Sequence, residues 1–307
     1  MFEKGVRQAR QEHIVPRVLL ENFSNSHGRI WVYARTKSPR ISRPFRECKE
    51  RDFYEFELPH HQTSNEYEDW LGRIESDIKP LFPTLFDNQK LDLQQARTVA
   101  YFVASLFGRT RKIRTQLSNA MIPKFREQTE DPAFIRDLQY ELLKRGELVF
   151  AEDLRLQVQQ TRTAMESSDS FYHVAGLPHR THVIAQELLK KTWRTLQAPE
   201  GKFFVTSDCP VLTAQLVDGE VRPGSGFAKE ATNVLLPISP KYLFVASSPQ
   251  QGWKPVIEPR GVDSVNRLTA RFAHHNVYAP CDSSEIQWFV DEEINSVIFG
   301  ENAFLPS

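Results

Sequence analysis

Apolar and polar positions along the chain fall into three stretches with different periods. Before residue 63, Val18, Leu19, Leu20 and Phe23 follow Pro16 at helical spacing, which predicts a short helix over 16–23 entered through its proline. A Ser-Asn-Ser-His-Gly turn comes next, and the alternation over 29–35 predicts a strand. Residues 39–44, bounded by two prolines, read as an irregular link before the segment 52–57. From about 64 to 200 the period is helical. Asn65 is placed to cap a helix through Tyr67, Trp70, Leu71, Ile74 and Ile78, with Glu66 and Glu68 in its first turn and Pro80 and Pro83 ending or kinking it. Residues 91–117 read as one more apolar helix with Val99, Phe102, Val103, Leu106 and Phe107 on its buried side, followed by helices at 132–144, 151–165 and 182–196. Beyond 201 the pattern is mixed. Strands are expected at 202–206, 211–216, 233–236 and 242–246, a hairpin turn at Asp218-Gly219, and helices over 263–274 and 291–299.

These elements predict an α+β fold in a single domain, 1–307, with sub-regions 1–63, 64–200 and 201–307. The helical middle region packs with a small mixed or antiparallel sheet built from N- and C-terminal segments. A chain of 307 residues is long enough to bury a sizeable core without staples. Its three cysteines, Cys48, Cys209 and Cys281, are widely spaced and form no paired motif, which fits a reducing cytoplasm better than a disulfide or zinc framework. Lysine plus arginine equals aspartate plus glutamate at 39 each, so any attraction to nucleic acid must come from a local patch, and no apolar window suits a membrane or a leader.

The most informative segment for chemistry is Phe203-Phe-Val-Thr-Ser207-Asp208-Cys209-Pro210-Val211, where an apolar run breaks into hydroxyls and a carboxylate and is stopped by proline. Asp208 there is either an active-site carboxylate or the cap of its own turn. Glu68 and Glu75, seven residues apart, return to one helix face. With Asp208 they would offer an oxygen-rich site for magnesium or manganese, and otherwise they are solvated helix residues. His13, just before Pro16, is a candidate for proton transfer. The strongest basic cluster, 107–114, carries Arg109, Arg111 and Arg114. Arg109 there either pairs with Glu75 or Asp208, or meets a phosphate of RNA or DNA. Cys209 reads as a buried, inert thiol, and the His179/His182 pair lacks the rest of a zinc motif.

His13-Ile-Val-Pro16-Arg-Val-Leu-Leu20-Glu-Asn-Phe23 followed by Ile30-Trp-Val-Tyr-Ala-Arg35 resembles the opening of the domain of unknown function 4238 family, which is mainly bacterial. Asp52-Phe-Tyr54, the helix from Glu68 to Glu75, Arg109-Thr110, Phe204 to Pro210 and Leu236-Pro-Ile-Ser-Pro240 are similar to its later blocks in the same order, from Glu12 to about Tyr278. The resemblance puts His13, Pro16, Glu75, Arg109, Ser207, Asp208, Pro210 and Asn266 on recurring polar or turn positions. It implies that these residues act together and supplies no reaction. Cys209 departs from the family pattern, where asparagine is more usual.

The expected function is therefore a metal-dependent phosphodiesterase or nuclease, an effector in bacterial defence or stress. In it Glu68, Glu75 and Asp208 hold the cation, Arg109 meets the phosphate, His13 moves a proton, and Arg111 and Arg114 extend the contact with nucleic acid. The alternative is a non-catalytic binding or regulatory module whose polar residues form a structural ion-pair network.

Overall fold

Short strands, each too narrow to bury a core alone, are covered by helices contributed from the middle and the end of the chain. The computed structural model describes residues 11–51, 53–54, 66–167, 173–174, 176–217, 220–224, 226–227, 229–230, 232–248 and 256–296. The expected features at Asp52 and 55–57, at Asn65, at Asp218-Gly219 and at 297–299 lie outside these residues.

The fold is α+β. Strands β1 (Gln11–His13), β2 (Ile30–Ala34), β3 (Lys37–Ser42) and β4 (Lys49–Arg51) flank helix α1 (Arg17–Glu21). The helices α2 (Glu66–Ile78), α3 (Phe82–Phe86), α4 (Leu93–Gly108), α5 (Arg111–Glu130), α6 (Phe134–Lys144), α7 (Ala151–Ser167) and α8 (Leu177–Leu189) follow. Then come β5 (Thr192–Gln197), β6 (Thr206–Ser207), β7 (Leu212–Val217), β8 (Glu220–Pro223), β9 (Asn233–Pro237), β10 (Tyr242–Ser247), helix α9 (Pro259–Phe272), β11 (Val277–Ala279) and helix α10 (Ser284–Glu293).

Three antiparallel groups result: the ribbon β1-β4, a sheet β3-β2-β11-β6 that joins the two ends of the chain, and a sheet β5-β10-β9-β7-β8. Every residue of β9 is buried, because both faces of this central strand are covered. Val234 and Leu236 share a core with Phe102, Val103 and Leu106 of α4, while Leu235 meets Val262, Val265 and Leu268 of α9. Helix α9 ends beside the joining sheet, where Ala270 packs with Tyr33, Val277 and, from α10, Phe289.

Three expectations are corrected. Residues 37–42, which overlap the link expected over 39–44, form β3, because an edge strand paired only with β2 tolerates Pro39. The single helix over 91–117 is two, α4 and α5, broken at Arg109-Thr110. Thr110 starts the second by accepting a hydrogen bond from the Ile113 amide at 3.3 Å. The helix expected over 182–196 stops at Leu189, and Thr192–Gln197 pairs along β10 as a strand.

Candidate functional site

His13 is carried by the ribbon, opposite Lys49, with Glu12 opposite Glu50. Opposed residues of an antiparallel pair share a face, so the imidazole and the Lys49 ammonium are neighbours. Tyr54 locks the ribbon from outside: its amide donates to Glu12 Oε2 at 2.6 Å and its hydroxyl to the His13 carbonyl at 3.3 Å.

The break between α4 and α5 aims Arg109 inward. Its Nη1 donates to Glu75 Oε1 of α2 at 2.8 Å, with the Arg109 side chain 1% exposed and that of Glu75 26%. Arg109 Nε and Nη2 and His13 Nε2 are buried and have no hydrogen-bond partner. Burial, then the Lys49 charge, lowers the pKa of His13, with Glu75 pulling the other way and Arg109 adding to the depression, so the ring is neutral at pH 7. Burial raises the Tyr54 hydroxyl against the opposing pull of Arg109. His13, Glu75 and Arg109, distant in sequence, thus form one electrostatic cluster with Tyr54.

Asp208 belongs elsewhere. Its Oδ1 accepts from the His274 amide at 2.7 Å and its Oδ2 from those of His275 and Asn276 at 2.7 and 3.1 Å, which clamps the turn between α9 and β11. Burial raises its pKa while these three amides pull it down. Ser207 caps the same corner locally, its Oγ donating to the Cys209 carbonyl at 2.9 Å and accepting from the Cys209 amide at 3.1 Å. Asn266 of α9 holds the preceding segment, accepting from the Val205 amide and donating to the Phe203 carbonyl. Cys209 is buried and its thiol is pushed up by that burial, as an inert thiol would be.

Among the described residues no three histidine, cysteine, aspartate or glutamate side chains are grouped to hold a metal ion. The carboxylate set of Glu68, Glu75 and Asp208, expected to take magnesium or manganese, is not formed. Glu75 is engaged by Arg109 and both oxygens of Asp208 by backbone amides, so the donor chemistry does not fit a divalent cation. The basic strip also divides. Arg109 is buried, Lys112 donates to the Arg271 and Phe272 carbonyls, and Arg114 reaches the Phe53 carbonyl with its guanidinium 4.9 Å from that ring. Arg111, half-exposed, pairs with Glu50 at 2.6 Å. Successive residues at a helix start point in different directions, so adjacency in sequence gave no common face.

Sequence reasoning left out Glu12, Lys49, Tyr54 and His274 as individual participants. Tyr54 alone had a signal, as the last residue of a block similar to the family's. Lys49 joins the site through strand pairing, which nothing local announces. No curated protein and no solved structure matches the chain significantly. The model of one family matches residues 11–283, spanning the ribbon, both clusters and the two sheets, and the chain belongs to that family, described as a protein of unknown function (DUF4238).

Proposed function

We propose that the His13, Glu75 and Arg109 cluster cleaves phosphodiester bonds of RNA, using side chains alone. The observation that carries the reading is the pair of unpartnered, buried nitrogens Nε and Nη2 of Arg109. They form one edge of the planar guanidinium, the edge that grips two oxygens of a single phosphate. A buried donor left unmade costs ~1–3 kcal/mol, more when charged, and one phosphate would satisfy both. Glu75, held on Nη1, fixes the plane of the fork.

RNA brings its own nucleophile. His13, neutral at pH 7, takes the proton of the 2′ hydroxyl. The oxygen attacks phosphorus, the bond to the 5′ oxygen breaks, and a 2′,3′-cyclic phosphate forms. The proton returns through solvent to the departing 5′ oxygen. Arg109 offsets the charge growing on the non-bridging oxygens. DNA lacks the attacking hydroxyl and is not a substrate on this reading.

Purified protein incubated in EDTA with single-stranded RNA should release fragments ending in cyclic phosphate. His13→Gln and Arg109→Lys should lose about 100-fold or more in rate with little change in melting temperature. No cleavage with or without divalent ions removes the reading, whereas activity lost in EDTA and restored by magnesium returns the metal-dependent nuclease.

One observation favours the non-catalytic module instead: Arg109 is sealed from water and already ion-paired. On that reading Arg109→Lys lowers stability, and RNA is neither bound nor cut.

A further inference from the structure

Beside the ribbon, and on the other side of Thr110 in sequence from Arg109, lies a cavity of about 280 Å³ lined by Arg46, Lys49, Arg111, His274, His275 and Asn276, with Asp208 at its wall. Three carboxylates reach it, and each is answered. Glu50 pairs with Arg111 at 2.6 Å. Glu47 accepts from both terminal nitrogens of Arg40, at 2.7 and 2.8 Å, and from the Ser42 hydroxyl at 2.5 Å. Asp208 accepts from three backbone amides, and the buried Lys112 ammonium is close enough for their charges to interact.

With Arg40, Arg111 and Lys112 set against those three acids, two cations remain. Arg46 and Lys49 have no carboxylate partner among the described residues, and both lie near the Phe45 ring, at 5.6 and 5.9 Å from its centre. The wall also holds an unmet polar atom, since His274 Nδ1 is buried without a hydrogen-bond partner. Small-molecule pockets run from about 300 to 1,000 Å³, so this cavity holds a compact anion rather than a whole nucleotide.

We propose that this cavity is a phosphate-binding site in which Arg46 and Lys49 neutralise the phosphoryl oxygens. The proposal goes beyond RNA cleavage at Arg109 and does not need it. The same chemistry has two sources, a free phosphate or diphosphate, or a phosphate of an RNA strand lying across the ribbon. Lys49 neighbours both His13 and the cavity, which puts the two places within reach of one strand.

The test is a titration of the full chain with pyrophosphate at constant ionic strength, following the imidazole proton resonances of His274 and His275 for the cavity and of His13 for the Arg109 cluster. Saturable shifts of His274 and His275 are expected, weakened about tenfold or more in Arg46→Gln and in Lys49→Gln, each with its melting temperature preserved. A short single-stranded RNA as second titrant distinguishes the sources. If it shifts the cavity resonances, and Arg46→Gln weakens that, the phosphate comes from a strand; if only pyrophosphate shifts them, it is free. Unmoved His274 and His275 resonances, or shifts of equal affinity in both variants, overturn the proposal whatever His13 does, whereas a silent His13 beside a responsive cavity counts against the Arg109 reading alone.

Discussion

Arg109 and Glu75 form a lopsided ion pair: the guanidinium is enclosed, at 1% exposure, while its partner reaches water at 26%. Removing the outer member therefore harms more than its own contacts suggest, because it leaves a charge inside with nothing to answer it. Glu75→Gln should cost about 3 kcal/mol, toward the low end for breaking a buried pair because the carboxylate is partly solvated. Arg109→Met together with Glu75→Gln should cost clearly less than the two single changes summed, since the double variant buries no charge. Urea unfolding of the four proteins measures this, and strict additivity would show that the two side chains do not act as a pair.

Asp208 acts on residues more than sixty positions away, gathering three consecutive amides at the end of α9. Asp208→Ala removes the acceptor for all three, and the part-buried ones cannot be fully rehydrated, so a loss of roughly 2–3 kcal/mol is expected. Asp208→Asn keeps one oxygen and should lose less. If Asp208→Ala unfolds at the wild-type urea midpoint, the clamp contributes nothing measurable.

The contrast between these two carboxylates explains what sequence could reveal. That Thr206 to Pro210 forms a polar corner was legible, because proline, serine and aspartate act on their own backbone. What Asp208 binds was not, because its partners come from the far end of α9. The break at Arg109-Thr110 was masked because Phe107 before it and Ile113 after it are both apolar and both buried in the same core. Trp193 and Leu196 likewise kept a helical spacing with Leu188 and Leu189 while pairing as strand residues with β10. Joining the two chain ends in one sheet was anticipated; the second, five-stranded sheet around β9 was not, since its order depends on pairings of short strands. The meeting of His13, Glu75 and Arg109 followed from a family pattern rather than from any spacing, because strand register and a helix break bring them together.

Thr110 stands between the two clusters, and its hydroxyl is the cap that restarts the helix after Arg109 turns inward. Thr110→Ala should cost about 1 kcal/mol through the cap alone, and Thr110→Ser should recover most of it. Melting curves of the two variants check this. Equal losses would assign the effect to the missing methyl group instead of the hydroxyl.

Histidines set the response to acid. Burial lowers the pKa of His13, His173 and His274, the last to about 4, and neighbouring charges add to the effect: Lys49 for His13, Arg180 for His173, and His275 followed by Arg111 for His274. His173 packs edge-on against the Phe53 ring with both nitrogens unpartnered, so it has nothing to stabilise a charge. An unfolded histidine titrates near 6.5. Between about pH 6.5 and 4 the unfolded chain therefore binds protons that the folded chain refuses, and stability that is complete above this window falls as the pH drops through it. Asp208, raised by burial, works in the opposite sense. Melting temperature measured from pH 7.5 down to 4.5 should decline, and His274→Gln should flatten the decline by removing one of the refused protons. A melting temperature level from pH 7 to 5 would mean that these rings find charge partners on protonation stronger than the pull of Glu75 on His13 and of Asn295 on His274, neither of which outweighs burial.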